Sequence, residues 1–200
     1  MPPTHELNET PRVDGRRERG NRNKAAVVQA LLELYEAGEI QPSAARIAEV
    51  AGVSERSVFR YFDDMEDLAA TAIDMQWERV RHLYEGLDSS GNLENRIEAL
   101  VEHRMRLFDK TVGVGKASMV TSVRSVTVAN ALHQRRTFLR NQATEQFAAE
   151  IGSSAQPAIA ARIVDYTVSI ENIEYLRTSV GLTKPRIRET LSAALRIALA

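Results

Sequence analysis

An all-α fold is predicted by two observations: apolar residues recur at helical spacing through most of this 200-residue chain, and no segment shows convincing period-two alternation. Gly, Pro and Ser clusters punctuate the periodic runs at intervals suited to helices. The first helix is expected from Arg22 to Ala37, where Val28, Leu31, Leu32 and Tyr35 fall on one face and Gly38 ends the run. Ser43 is placed to cap a short second helix reaching about Val50, with Gly52 closing it, and Ser54 to cap a short third one reaching about Tyr61. A long fourth helix is expected from about Asp64, whose acidic neighbours Glu66 and Asp67 complement a helix N-terminus, to about Tyr84. Further helices are expected at 93–110, within 116–151, at 157–180 and at 184–199, with Gly113 and Gly115 read as a break.

Composition narrows the class. With 44% hydrophobic and 26% charged residues the chain has the make-up of an ordinary folded protein. The absence of Cys excludes disulfides, thiolate metal sites and cysteine nucleophiles, and suits a reducing cytoplasm. No apolar run is long enough to span a membrane, and the first residues lack the pattern of a signal peptide. Net charge is −1, but Arg12, Arg16, Arg17, Arg19, Arg22 and Lys24 face only Asp14 and Glu18 in the same stretch. A basic arm on a near-neutral body suits local contact with a polyanion. Residues 1–20 carry few apolar side chains and are expected to be a flexible basic arm.

The stretch Ser43 to Leu68 carries the strongest signal. Small Ala48 permits close helix approach, Gly52 can take positive φ in a tight turn, and Ile47, Val53 and Val58 pin two short helices together, as a helix-turn-helix requires. Rotation by ~100° per residue gathers Val58, Phe59 and Phe62 on one side of the third helix and Arg56, Ser57, Arg60 and Tyr61 on the other. Guanidinium groups can read guanine edges in the major groove, while Ser and Tyr hydroxyls, Ser43 and Ser54 included, can reach phosphates.

This stretch resembles the DNA-binding segment of TetR-family transcriptional regulators. The residues that carry the resemblance are Ser43, Ile47-Ala48, Ala51-Gly52-Val53-Ser54, Phe59-Arg60-Tyr61-Phe62 and Glu66-Asp67-Leu68. It departs from the family pattern at Phe59, which replaces a phosphate-contacting Tyr, at Met65, which replaces a Lys, and at Arg56, where a small residue is common. The resemblance implies a helix-turn-helix DNA-binding domain over 21–66 and a larger helical ligand-binding and dimerisation domain over 67–200. It also implies a homodimer that binds a palindromic double-stranded operator, most simply as a repressor, and releases it to a small-molecule effector. Its last two long helices would pack against their copies. Ile159, Ile163, Tyr166, Ile170, Ile173 and Arg177 share a face of the 157–180 segment, and Ile187, Leu191, Ala194, Leu195 and Ala198 share one on the last helix.

Within the larger domain one residue stands out. On the 93–109 helix Arg104 falls at the centre of a face formed by Leu93, Ile97, Leu100, Val101, Leu107 and Phe108. A permanent cation there needs a partner, because burying it alone costs several kcal/mol. Two readings stand: a structural ion pair, with Glu174 as the candidate acid, or a contact to the polar group of an effector. In the second, Trp77, Tyr84, Phe108, Met119 and Tyr175 supply apolar walls and Asn172 a further polar contact.

Enzymatic readings find little support. The four His residues show no metal-ligand spacing, Gly113 to Lys116 lacks the remainder of a phosphate loop, and there is no nucleophile elbow. Neither cofactor nor metal is expected. A helical scaffold or adaptor without specific DNA binding is the alternative class.

Overall fold

The computed structural model of the protein describes residues 15–200, which form ten helices and no strand. They are α1 (Gly15–Glu36), α2 (Ala44–Ala51), α3 (Glu55–Tyr61), α4 (Met65–Tyr84), α5 (Leu93–Ser122), α6 (Val126–Gln146), α7 (Ala148–Ser153), α8 (Pro157–Thr167), α9 (Ile170–Thr178) and α10 (Lys184–Ala198). Among these residues no helix is long and apolar enough to cross a membrane.

An N-terminal cluster joins Val27, Leu31 and Leu34 of α1 to Ile47 and Ala48 of α2, Val58 of α3 and Leu68, Ala72 and Ile73 of α4. Val114 and Ala117 of α5 and Val128 of α6 complete it, so the core under the short helices borrows the end of the longest one. A second cluster collects Ile97, Leu100, Met105 and Phe108 of α5, Phe147, Val164 of α8, Ile173 of α9 and Ile187, Leu191 and Leu195 of α10. The first turn of α4 is capped by Asp64, whose carboxylate accepts from the backbone N–H groups of Glu66 and Asp67, both at 2.8 Å.

Three boundaries depart from the sequence reading. α1 starts at Gly15, so Arg17, Arg19, Arg22 and Lys24 stand on a helix and the expected arm is helical from Gly15 on. α5 runs unbroken through Gly113 and Gly115. Gly113 serves packing: a Cβ there would lie 2.4 Å from the Tyr35 carbonyl oxygen, so α1 and α5 approach at bare backbone. The 157–180 segment breaks at Val168, because Ser169 caps α9 by accepting from Asn172 N–H at 3.1 Å. The Asn172 side chain donates back to the Thr167 carbonyl at 2.8 Å. Short polar side chains here outcompete the helical ladder.

The break re-registers the expected apolar face. Ile159, Ile163 and Tyr166 remain on the outside of α8, whereas Ile173 is wholly buried. On α10, Ile187, Leu191 and Leu195 belong to the chain's own core and offer no outward surface; Ile197 does, at 80% exposure.

Candidate nucleic-acid interface and effector cavity

The α2–α3 unit is built by local chemistry. Ser43 accepts from Arg46 N–H at 3.2 Å and Ser54 from Ser57 N–H at 3.2 Å, so both hydroxyl oxygens satisfy helix N-termini while their O–H groups remain donors. The Ser54 and Ser57 hydroxyls also bond each other at 2.9 Å. Gly52 sits at φ 66°, ψ 32°, the left-handed conformation that closes α2, and the Val53 N–H returns to the Ala48 carbonyl at 3.0 Å.

Val58 of α3 and Phe62 at its C-terminal cap form the buried seam, while Arg56 and Arg60 are exposed and Ser57 and Tyr61 half-buried. Phe59 corrects the rotation argument: it is 51% exposed and stands on the outer surface. A seven-residue helix buries only the narrow strip that Val58 and Phe62 already fill. Arg60 stacks over the Tyr61 ring, 4.8 Å from its centre, and donates to the Tyr61 hydroxyl at 2.7 Å. Lys24 Nζ lies 4.9 Å above the Phe62 ring at the end of α3, which brings the basic side of α1 beside the recognition unit; Arg17 and Arg19 are exposed. Arg12 and the Arg16 side chain lie outside the described residues.

A cavity of about 650 Å³ lies between α4, α5, α6, α8 and α9. Its size suits a small organic molecule. Trp77, Tyr84, Arg104, Met119 and Tyr175 line it together. Phe108 and Asn172 do not. Phe108 faces the second core beneath the Arg177 guanidinium, 5.0 Å away, and Asn172 is spent on the helix break. On α5 the lining stripe is instead Arg104, Thr111, Gly115 and Ser118, which recur at helical spacing.

Arg104 is 1% exposed and meets no carboxylate within ion-pair distance among the described residues. Its partners are neutral: Nη1 donates to Gln142 Oε1 at 2.7 Å and to His103 Nδ1 at 2.8 Å, and Nη2 to the Leu139 carbonyl at 2.9 Å. Glu174, the acid suggested by the sequence, pairs instead with Lys116 and with Arg177 at 3.0 Å. Desolvation pulls the Arg104 pKa down to about 10, against the opposing fields of Asp165 and Tyr84, so the group stays charged at neutral pH. Desolvation, with Arg104 and Arg106 nearby, drives His103 down to about 4; it is neutral and accepts from the guanidinium.

The sequence reading missed the contribution of α6. Arg135 lines the cavity and stacks 4.7 Å over the Trp77 ring, and Trp77 meets Tyr84 edge-on at 4.8 Å. Leu132, Arg135 and Leu139 recur at i, i+3 and i+7, a spacing that puts this arginine on an apolar face just as it does Arg104.

These features define a helical protein in which a helix-turn-helix with a cationic outer face is fused to a cavity-bearing helical bundle. Comparison with solved structures finds the same fold in TetR-family transcriptional regulators. A transcriptional regulator from Rhodococcus sp. Rha1 aligns with a TM-score of 0.65 at 16% identity, covering 90% of this chain and 95% of that one. A TetR-family regulator from Streptomyces coelicolor aligns with a TM-score of 0.65 at 18% identity over 89% and 82%. The FadR regulator from Bacillus subtilis, solved with stearoyl-CoA, gives 0.54 at 14% identity over 90% and 97%. No protein-family model matches the chain, and no curated protein matches it.

Proposed function

We propose that this protein is a ligand-responsive transcriptional repressor of the TetR type, a cytoplasmic homodimer that binds a palindromic operator. The observation that carries the reading is the α2–α3 unit, where a closed left-handed turn and two serine caps frame a short helix that carries Arg56 and Arg60 outward. In this reading α3 enters the major groove, with Arg56 and Arg60 on base edges. Ser43, Ser54, Ser57, Tyr61 and the basic residues Arg12, Arg16, Arg17, Arg19 and Lys24 take phosphates. The DNA-binding part corresponds to residues 21–66, with the α1 basic face extending it, and 67–200 holds the effector and forms the dimer.

Dimerisation is supported by Ile159, Ile163 and Tyr166, which stand exposed on α8; the neighbouring α10 carries exposed Ile197. Apolar side chains at i, i+4 and i+7 suit a helical bundle completed by a second copy. Two-fold symmetry then matches two operator half-sites. Signalling has a direct path. α4 and α5 line the cavity with Gln76, Trp77, Arg104 and Ser118, and the same two helices supply Leu68, Ile73, Val114 and Ala117 to the N-terminal core. Gln76 also donates to the Lys110 carbonyl at 3.2 Å, tying α4 to α5 beside the cavity. An effector that prefers one setting of this pair releases the operator by favouring dimers whose recognition helices miss the ~34 Å half-site spacing.

Selection of bound sequences from a random duplex pool tests the reading. An inverted repeat with half-sites about one helical turn apart is the expected result. A folded protein that enriches no sequence would be an adaptor instead.

A further inference from the structure

The charges around the cavity do not cancel. Glu171 is held by Arg136, which donates through Nε at 2.8 Å, and Glu174 is held by Lys116 and Arg177. With those acids taken, Arg104, Arg135 and Arg140 line the cavity without a carboxylate in ion-pair distance among the described residues. Asp165 is the remaining acid on the wall, and it too makes no ion pair among them. Three cations therefore face one carboxylate around a partly enclosed space; Arg104 is buried and Arg135 half-buried, where a field is weakly screened, whereas Arg140 is exposed.

The cations are also grouped. Gln142 accepts from Arg104 through its carbonyl oxygen and donates through Nε2 to the Tyr84 backbone carbonyl at 2.8 Å. Arg104 Nη2 reaches the Leu139 carbonyl, one helical turn beyond Arg135, and Arg135 lies on Trp77, which touches Tyr84. Arg104, Arg135 and the Tyr84–Trp77 pair thus gather at one end. Arg104 has spent three N–H groups on neutral acceptors, which leaves the Nε–H and one Nη2–H without a protein acceptor among the described residues. Val114, Met119, Leu132 and Ile170 supply aliphatic wall, beside the Lys116–Glu174 and Arg136–Glu171 pairs.

Resting on the reading of the cavity as an effector site, we propose that the effector is an amphipathic organic anion, with its acid group against Arg104 and Arg135 and its apolar body along Trp77 and the aliphatic wall. A charged acid satisfies the free guanidinium donors and offsets the excess positive charge, and charge-assisted bonds of that kind are the strong ones. A neutral molecule of the same shape fills the apolar part and leaves the cations uncompensated. Asp165 sets the sign of a second effect: it opposes an anion, so neutralising it favours one.

Two dyes with one ring system test this on the full-length protein by fluorescence titration: anionic anilinonaphthalenesulfonate and neutral phenylnaphthylamine. The anionic dye is expected to bind at least about tenfold tighter, the size of one charge-assisted contact. Arg135→Gln should remove about that factor for the anionic dye alone, and Asp165→Asn should tighten the anionic dye alone. Arg104→Met should give the largest loss; should it fail to fold by circular dichroism, the Arg135 and Asp165 variants carry the test. Displacement by naphthoate but not by naphthalenemethanol is the matching result for a carboxylate. Equal affinity for both dyes, or an Arg135→Gln loss shared by both, overturns the proposal, as does binding of neither dye by protein that still retards specific DNA. Discrimination between the dyes by a protein that retards no specific DNA upholds the anion site and defeats the regulator.

Discussion

Replacing Gly113 by Ala sets helix propensity against packing, and the structure decides the winner. Gly113 lies inside α5 with ordinary helical backbone, so propensity alone would make Ala better by about 1 kcal/mol. A Cβ at that position, however, would stand 2.4 Å from the Tyr35 carbonyl oxygen, 3.0 Å from its carbon and 3.1 Å from Glu36 Cα. All three obstacles are backbone, which no rotamer change can move aside. The end of α1 must retreat by roughly 1 Å to restore a normal contact. Overpacking of that kind costs about 1–3 kcal/mol, enough to cancel the propensity gain and leave a net loss. Gly115 is the internal control: it lies on the same helix, two residues on, and a methyl group added there would meet nothing within 4 Å. Urea denaturation of both variants checks the comparison, with Gly115→Ala expected to gain up to about 1 kcal/mol and Gly113→Ala to lose stability. A Gly113→Ala variant as stable as Gly115→Ala would refute the close α1–α5 contact and with it the direct mechanical link between the cavity helix and the N-terminal core.

Three further outcomes follow from the site and the surface. Arg60→Ala is expected to cost about 1–3 kcal/mol on the selected operator and to relax preference at one base pair, as gel retardation against random DNA will show; equal losses on both DNAs would move Arg60 off the bases. Ile163→Glu, on the exposed side of α8, should turn the proposed dimer into folded monomer in sedimentation, whereas Leu191→Glu, at 1% exposure, should unfold the chain; a dimeric Ile163→Glu protein would remove that face from the proposed interface. His103, held down from 6.5 to about 4, stays unprotonated in the fold while the unfolded chain takes up a proton below 6.5. Its contribution, at most about 3 kcal/mol, is therefore whole above pH 6.5 and lost as pH falls toward 4. Denaturation between pH 7.5 and 4.5 should show a steeper acid loss for the wild type than for His103→Asn, and parallel curves would contradict it.

Whatever rests on a few neighbouring residues could be read from the sequence. Ser43, Gly52 and Ser54 define the helix-turn-helix because caps and left-handed turns are decided by the hydrogen bonds of one short stretch. Arg104 declared itself by the same kind of evidence, since helical rotation alone puts it among apolar neighbours. Its partners did not, because His103, Gln142 and the Leu139 carbonyl meet it through the packing of α6 on α5, and a neutral acceptor leaves no charge pattern in a sequence. Gly113 illustrates the converse: a glycine reads as a break, and only the approach of α1 reveals that it permits contact between unbroken helices. The division at Ser169, which hides Ile173 and leaves Ile163 outside, turns on a contest between side-chain and backbone hydrogen bonds of similar strength. Contests that close, and charges whose partners lie on other helices, are resolved by the packing of the whole bundle, since burial fixes which polar groups must find each other.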